Sequence, residues 1–208
     1  MITVVISSFN YGHLASHCIE SIISQTSSPE RVIFVDDGAG DCRHLQKYYP
    51  EIEYIHREKN LGVVNNFDDM LCRVTSDYVM FVGADNWLRS DAIELLENKL
   101  KIDNTDIVVY DIMVTGELKS EILLRHPNEV HPCHGDYYWT RNGHHGSMVY
   151  KTKLGQEIGY KRRLEDSIHP EEDWNLWLEM VKNNAKISHI PQALLYYRRH
   201  RNNFLKYT

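Results

Sequence analysis

Residues 78–88 read YVMFVGADNWL, an apolar run that stops abruptly on the carboxylate of Asp85. Such a run of strand-forming residues indicates a strand that is buried on both faces, so the acidic side chain lies at the edge of the sheet. Open parallel sheets bind ligands at that edge. The alternative is that Asp85 and Asn86 only open a turn before a helix that begins near Ser90.

A second strand of the same kind ends on carboxylates. Residues 32–38 read VIFVDDG, which places Asp36 and Asp37 directly after a buried strand. A polar turn is again the alternative. Because two strand ends present acidic side chains, a binding site at the sheet edge is favoured over two unrelated turns.

The 208-residue chain is 42% hydrophobic and 25% charged, with a formal net charge of -6 at pH 7. Such a chain buries a substantial core, and its negative charge argues against nucleic acid as a partner and favours a cation. We expect no signal peptide in residues 1–6 and find no apolar run near the ~20 residues that span a bilayer. The cysteines (Cys18, Cys42, Cys72 and Cys133) form no CxxC motif, which predicts reduced thiols in a cytoplasmic protein.

The first half of the chain alternates predicted strands and helices. We expect strands at residues 2–7, 31–35, 53–56 and 78–82, and helices at 14–23, 44–48 and 63–74. This βαβα order predicts a mainly parallel, doubly wound α/β sheet with helices on both faces.

The second half is less regular and holds most of the aromatic residues and histidines. We expect strands at residues 107–114, 147–150, 187–190 and 194–198, and a helix at 173–182. No Gly/Ser-rich or Pro-rich linker separates the halves, so we expect one domain, residues 1–208, in which the part after about residue 100 builds on the sheet.

Several nucleotide and catalytic motifs are absent from the sequence. It contains no GxGxxG after the first strand and no GxxxxGK[ST], GxSxG or HExxH. A bound phosphate must therefore be held by a metal ion and by scattered donors. Mg²⁺ or Mn²⁺ needs only one or two carboxylates in addition to substrate phosphate oxygens, so one Asp at a strand end suffices.

Seven motifs resemble, in order and spacing, those of the family 2 glycosyltransferases with the GT-A fold. They are VVISSFN (4–10), SIISQT (21–26), VDDG (35–38), NLGV (60–63), GADN (83–86), EDW (172–174) and YRRH (197–200). The resemblance implies a single Rossmann-like nucleotide-binding sheet, with a nucleotide-sugar-binding half (1–100) and a smaller acceptor-binding half (101–208). It also implies inverting transfer of a sugar from a nucleoside diphosphate donor, most often UDP-linked, to a hydroxyl of a glycan or lipid-linked acceptor.

The same resemblance assigns a set of residues to the nucleotide. The loop after the first strand would cradle it, Asp37 would contact uracil with Asp36 supporting or sharing that contact, and the NLG segment would lie near the diphosphate or ribose. Helix capping is the alternative for that segment. The set is Ser7, Phe9, Asn10, Asp36, Asp37, Asn60, Gly62, Asn66 and Ala84.

The metal ion, Mn²⁺ or Mg²⁺, is assigned to Asp85, the last position of the DxD-type motif. The first position is Gly83 instead of Asp, so one protein carboxylate remains for the metal. His200 completes the metal site in some relatives, and imidazole suits Mn²⁺; an exposed histidine among arginines is the alternative. Arg198 and Arg199 would neutralise diphosphate oxygens.

The catalytic base is assigned by resemblance to Asp173, at the start of the helix near residue 173. An inverting displacement needs a base that removes the acceptor proton, and Glu172 would orient Asp173 or contact acceptor hydroxyls. The metal would offset charge on the leaving diphosphate. The alternative is a helix N-terminus that is stabilised by acidic residues.

His145 and Trp174 are the candidates for contact with the acceptor or sugar, and a core or surface role is the alternative for His145. The segment 196–207 is basic and aromatic, so it either rests on anionic lipid at the inner face of the membrane or packs on the domain.

Two other functional classes are the alternatives to a glycosyltransferase. A sugar-nucleotide-forming nucleotidyltransferase needs an early Gly-rich phosphate loop, which the chain lacks. A nucleotide-sugar-binding protein that has lost turnover is suggested by Gly83, whereas Asp85 and Asp173 argue against it.

Overall fold

The computed structural model describes residues 1–117, 120–125, 147–160, 172–201 and 203, without the side chain of Trp174. Its strands are β1 (Ile2–Ser8), β2 (Arg31–Asp36), β3 (Glu53–His56), β4 (Tyr78–Gly83), β5 (Trp87–Leu88), β6 (Ile107–Gly116), β7 (Ile122–Leu124), β8 (Met148–Lys151) and β9 (Ile187–Arg199). Its helices are α1 (Ala15–Ile23), α2 (Leu45–Tyr48), α3 (Val63–Arg73), α4 (Ala92–Asp103), α5 (Thr152–Ile158) and α6 (Glu172–Lys182).

The described strands form one sheet in the order β3-β2-β1-β4-β8-β6-β9-β5, with β7 beside β6. The neighbours among β1 to β4 are all parallel, as the βαβα order predicts. The second half adds β8 antiparallel to β4 and β6, and a long parallel pair of β6 with β9. Strands of both halves therefore share one sheet, and the extent of the domain over residues 1–208 stays a prediction.

The strand order reverses at β1. The chain passes from β1 to β2 and β3 on one side and returns through α3 to β4 on the other side. Ser7 near the end of β1 pairs with Val35 of β2 and with Gly83 of β4. Ligands bind such sheets outside the carboxyl ends of the strands where the order reverses, which is where Asp37 and Asp85 follow their strands.

Helices cover both faces of the sheet, which explains the uninterrupted apolar strands. Val4 and Ile6 of β1 pack with α1, α2 and α4, whereas Val5 packs with α3 and α6. Trp177 of α6 is fully buried in the second of these clusters. Because side chains alternate along a strand, each strand contributes to both clusters.

One long strand, β9, replaces the two extended segments expected at 187–190 and 194–198. Tyr110 of β6 pairs with Ile190, but the next residue, Asp111, pairs with Ala193. Pro191 has no backbone N–H to donate, so the strand bulges there instead of ending. The elements β5, β7 and α5 were not predicted; β5 has two residues and β7 has three, too few to show a period.

Among the described residues, no helix is both long and apolar enough to cross a bilayer.

Candidate functional site

Asp37 lies just after β2 and is almost completely buried, with 4% of its surface exposed. Its Oδ1 accepts a hydrogen bond from the Leu61 backbone N–H at 3.1 Å and lies 3.3 Å from Nε of Arg57. Burial raises the pKa of Asp37, while the Leu61 N–H and the Arg57 charge oppose that rise. Asp37 is therefore a fixed acceptor at the sheet edge.

Asp36 holds the turn that follows it. Its Oδ1 accepts hydrogen bonds from the backbone N–H groups of Ala39 at 3.0 Å and Gly40 at 3.2 Å. Its other oxygen is buried without a hydrogen-bond partner among the described residues and lies 3.7 Å from Nδ1 of His56. These contacts are those of the polar turn that is the alternative for this segment, and the support of Asp37 by Asp36 in binding uracil stays a prediction.

The segment containing Asn60 and Gly62 packs directly on the turn after β2. Gly38 has a positive φ of 86°, and a Cβ there would collide with the backbone of Lys59 and Asn60. Asn60 Oδ1 accepts a hydrogen bond from the Gly62 N–H at 2.5 Å. The Asn60 side chain therefore stabilises the turn before α3, but it does not cap the helix, because α3 has no side-chain cap hydrogen bond. Its contact with a ligand stays a prediction.

Asn66 joins α3 to the end of β1. It is 1% exposed, and its Nδ2 donates to Ser7 Oγ at 2.9 Å. Ala84 is fully buried and its N–H donates to the Ser7 carbonyl at 2.9 Å, so its side chain lies in the core. Phe9 and Asn10, which directly follow β1, are exposed, and Asn10 adopts a positive φ of 65°.

Asp85 lies in the loop after β4 and is brought together with His200, at the end of β9. His200 Nε2 lies 3.2 Å from Asp85 Oδ2, and Asn203 Nδ2 donates to the same oxygen at 3.2 Å. Asp85 is 6% exposed, and burial raises its pKa while His200 opposes that rise. The Tyr11 ring packs edge-on against His200, with ring centroids 5.5 Å apart, and thereby joins the loop after β1 to this pocket.

Arg198 borders the Asp85 pocket. Its Nε donates to the Asp85 carbonyl at 2.8 Å, and its guanidinium carbon lies 4.6 Å from the ring centre of Trp87. Burial and then the Arg198 charge lower the pKa of His17, so a neutral imidazole accepts from Arg198 Nη2 at 2.9 Å. No carboxylate among the described residues lies within ion-pair distance of the Arg198 guanidinium, whose charge acts to lower the pKa of the nearby Asp85.

Gly83 occupies the position where the motif has its first acid. A Cβ there would lie 2.7 Å from Asp85 Oδ1 and 2.9 Å from Asn86 Nδ2. The Asp85 carboxylate therefore fills the space that a side chain at position 83 would need. The position of Asp85 therefore explains why residue 83 is glycine and not the aspartate of the family motif.

Replacing Gly83 with Ala should turn the Asp85 carboxylate away from His200. Gly83 is not among the glycines of positive φ, so alanine fits the backbone and acts through its Cβ alone. If Asp85 is a metal ligand, as the sequence predicts, we expect Mn²⁺ affinity to fall about tenfold or more, the usual effect of disturbing the support of such a ligand. Mn²⁺ titration measures this, with the thermal unfolding midpoint as the control; unchanged affinity would contradict the explanation.

The acidic start of α6 lies beside a buried pair of tyrosines. Glu172 and Asp173 are half-buried in its first turn. The hydroxyls of Tyr150 and Tyr160 lie 2.9 Å apart, and burial raises the pKa of Tyr160, with Asp173 and Glu172 raising it further. The charges of the two carboxylates therefore contribute to the raised pKa of Tyr160, although burial and the neighbouring Tyr150 contribute more.

Tyr160 also connects this region to α3 and β4. Its ring packs edge-on against Phe67 of α3 and Phe81 of β4, with centroids 5.3 and 5.5 Å away. Its N–H donates to Asp68 Oδ1 at 2.9 Å. Since Phe67 and Asp68 follow Asn66 directly, the start of α6 lies on the same face of the sheet as α3.

His145 and the side chain of Trp174 lie outside the described residues, as does the segment after Asn203. Three residues that contact the candidate site were not predicted from the sequence: Arg57, His17 and Asn203. Asn203 could have been suggested by its position three residues after His200, because that spacing forms a turn in which the Asn203 N–H donates to the His200 carbonyl at 3.0 Å.

A second group of potential metal ligands combines Asp36, Asp41 and Cys42, whose ligand atoms lie within 4.8 Å of one another. Burial raises the pKa of Cys42 to about 12, so its sulfur is a neutral thiol. Asp41 Oδ2 already accepts from the Gly12 N–H at 2.8 Å. Mg²⁺ and Mn²⁺ prefer oxygen ligands, so this group fits them less well than Asp85.

Comparison with protein families gives a match of residues 3–164 to the model of glycosyl transferase family 2. Among curated proteins, the chain is 29% identical over 134 residues to the cholesterol galactosyltransferase of Borreliella burgdorferi, covering 61% of this chain and 37% of that protein. It is 27% identical over 203 residues to the uncharacterized glycosyltransferase YwdF of Bacillus subtilis, covering 94% and 73%.

Among solved structures, residues 1–349 of S. aureus TarS in complex with UDP-GlcNAc match with a TM-score of 0.75 at 16% identity. The match covers 97% of this chain and 59% of that chain. It shows the shared GT-A fold, as the sequence predicts. The chain thus spans well under two thirds of the galactosyltransferase and of this TarS structure.

Proposed function

Since this chain belongs to glycosyl transferase family 2, we propose that it transfers a sugar from a UDP-sugar to an acceptor hydroxyl, with inversion at the anomeric carbon. The proposal assigns the nucleotide to the carboxyl ends of β1, β2 and β4. It assigns the acceptor to the side of α6.

One observation carries the proposal: both acidic strand ends flank β1 at the point where the strand order reverses. Asp37 follows β2, and Asp85 follows β4 with His200 beside it. Arg198 adds a positive charge next to Asp85. A nucleoside diphosphate has a hydrogen-bonding base at one end and an anionic diphosphate at the other, which matches this arrangement.

UDP is the favoured nucleotide for two reasons. The structure of TarS in the matching fold was solved with UDP and with UDP-GlcNAc. In addition, Asp37 is a hydrogen-bond acceptor, which suits the N3–H of uracil. The identity of the sugar stays open in this proposal.

A divalent cation fits the pocket of Asp85. A buried carboxylate whose pKa is raised by burial is stabilised by a cation, and carboxylate together with imidazole suits Mn²⁺. Asp85 and His200 would hold the ion, and its chemistry would be to neutralise charge on the leaving diphosphate. Asn203 would orient the Asp85 carboxylate through its hydrogen bond.

Asp173 is the proposed base. A half-buried carboxylate in the first turn of a helix is stabilised as an anion, which keeps it ready to accept the proton of the attacking hydroxyl. Glu172 beside it would orient Asp173 or bind acceptor hydroxyls. His145 and Trp174 remain proposed contacts to the acceptor or sugar.

The acceptor is proposed to be a glycan or lipid-linked hydroxyl in cell-surface polysaccharide synthesis. The relatives support a hydroxyl acceptor in general but no particular acceptor compound. Their names differ in acceptor, since they include a cholesterol galactosyltransferase and a poly(ribitol-phosphate) β-N-acetylglucosaminyltransferase. We propose a cytoplasmic location. The basic and aromatic C-terminal segment either packs on the domain or contacts anionic lipid at the inner face of the membrane, and its residues 196–199 lie in β9.

A binding protein without turnover is the second candidate, because Gly83 departs from the family motif. The position of Asp85 in the space beside Gly83 weakens this candidate, since the carboxylate is retained.

The test is a panel of UDP-, GDP- and dTDP-sugars with Mn²⁺, in which the released nucleotide is measured. We expect release of UDP from one or a few UDP-sugars, stimulated by an added acceptor. Tight UDP binding without release from any sugar or acceptor would favour the binding protein. Release of GDP or dTDP alone would contradict the choice of UDP, although guanine and thymine also present an N–H to an acceptor such as Asp37.

A further inference from the structure

Arg57 directly follows β3, and only 12% of its side-chain surface is exposed. Its guanidinium contacts acceptors on two separate segments. Nε lies 3.3 Å from Asp37 Oδ1 and 3.2 Å from Asn66 Oδ1, and Nη2 lies 2.6 Å from Asp69 Oδ2. One buried side chain thus joins the end of β2 to the first turns of α3.

The geometry of Arg57 is fixed at both ends. Its backbone N–H donates to the Asp36 carbonyl at 3.0 Å, which ties its main chain to the end of β2. Its guanidinium is planar and presents donors in a rigid fork, so several contacts set the positions of their partners relative to one another. Lysine has a single mobile charge and cannot reproduce this.

The charges around Arg57 also indicate that Asp37 depends on it. Burial raises the pKa of Asp37, and the Arg57 charge is among the groups that oppose this rise. Asp69 has a second partner, because Arg73 Nε lies 2.9 Å from its Oδ2. Loss of Arg57 would therefore leave Asp37 as a buried carboxylate without a counter-charge, while Asp69 would keep one.

We propose that Arg57 is the positioning residue for nucleobase recognition: it fixes Asp37 as an acceptor for a base that presents N–H at its pairing edge, and it sets the position of Asn66 relative to that acceptor. The inference rests on the proposed function for the identity of the ligand, a uridine nucleotide. Uracil presents an N–H at N3, whereas cytosine presents a lone pair there, so a fixed carboxylate accepts the first and rejects the second.

The experiment compares UDP and CDP affinities, in Mn²⁺, for the unaltered protein, Arg57→Met, Arg57→Lys and Arg73→Met. Arg73 is the matched control because it pairs with the same Asp69, is half-exposed and has no described contact with Asp37 or Asn66. We expect the unaltered protein and Arg73→Met to prefer UDP by about tenfold or more.

In Arg57→Met we expect UDP affinity to fall about tenfold to hundredfold while CDP affinity changes little, so that the preference is lost. Arg57→Lys should recover part of it, because the charge beside Asp37 is kept. Calorimetry measures the affinities, and thermal unfolding shows that the variants are folded.

Equal weakening of UDP and CDP in Arg57→Met would overturn the inference, since Arg57 would then only support the fold. An unaltered protein without a UDP preference would overturn it as well. Loss of the preference for UDP over CDP in Arg57→Met supports the inference even where no sugar is transferred. The absence of sugar transfer would count against the proposed function alone.

Discussion

Replacing Asp173 with Asn is expected to lower the rate of acceptor-dependent UDP release by roughly 10²–10⁴, with donor affinity nearly unchanged. The base acts only when the acceptor hydroxyl attacks, so its loss appears in turnover and not in donor binding. Asparagine keeps the shape of the side chain. The loss of one negative charge in the first turn of α6 costs only about 0.3–1 kcal/mol of stability.

The matched control for this variant is Glu179→Gln on the same helix. Glu179 pairs with Lys182 at 2.6 Å near the other end of α6, away from Tyr160. Its substitution should leave turnover within about twofold, as is usual for surface changes. If Asp173→Asn keeps turnover within a few fold, Asp173 only stabilises the helix start, and Glu172 becomes the candidate base.

Replacing Asp85 with Asn should weaken Mn²⁺-dependent UDP binding at least about 100-fold. Loss of a residue that merely supports a ligand costs about 10–100-fold in metal affinity, and Asp85 is the proposed ligand itself. Asparagine also fails to offset the charge of the metal, and it changes the hydrogen bonds with His200 and Asn203. Calorimetric titration of UDP in Mn²⁺ measures the effect.

Asp91→Asn is the control for Asp85→Asn. Asp91 precedes α4, is 41% exposed and pairs with Arg89 at 2.5 Å, so the same chemical change is made at a surface ion pair. An exposed pair contributes little, and UDP affinity should stay unchanged. Equal UDP affinities for Asp85→Asn and the unaltered protein would move the proposed phosphate contacts to Arg198 and its neighbours.

The fold of the first half follows from local patterns. The central residues of β1, β2 and β4 are mostly apolar because helices cover both faces of the sheet, and this pattern is visible in the sequence before any contact is known. The bounds of β3 were predicted to the residue and those of β4 to within one residue. In the second half, two separate extended segments were expected at 187–190 and 194–198, whereas pairing with β6 keeps β9 continuous through a bulge.

The site was predictable only where its residues sit at strand ends or in motifs. Asp37 and Asp85 were found in this way. Their partners were harder to find, because Asn203 and Asp85 are 118 positions apart and no local pattern relates them. Arg57 follows a short strand and belongs to none of the motifs, so only its contacts in the fold show that it joins Asp37 to Asn66.

Titration of UDP into the unaltered protein, once with Mn²⁺ and once with a chelator, tests most directly whether the strand-end site binds a nucleoside diphosphate together with a cation. The proposed roles of Asp37, Asp85 and His200 predict saturable binding of one UDP in Mn²⁺ and affinity at least about tenfold weaker in the chelator, since the ion would link Asp85 to the diphosphate. Equal affinity under both conditions, or no UDP binding in either, would contradict this account.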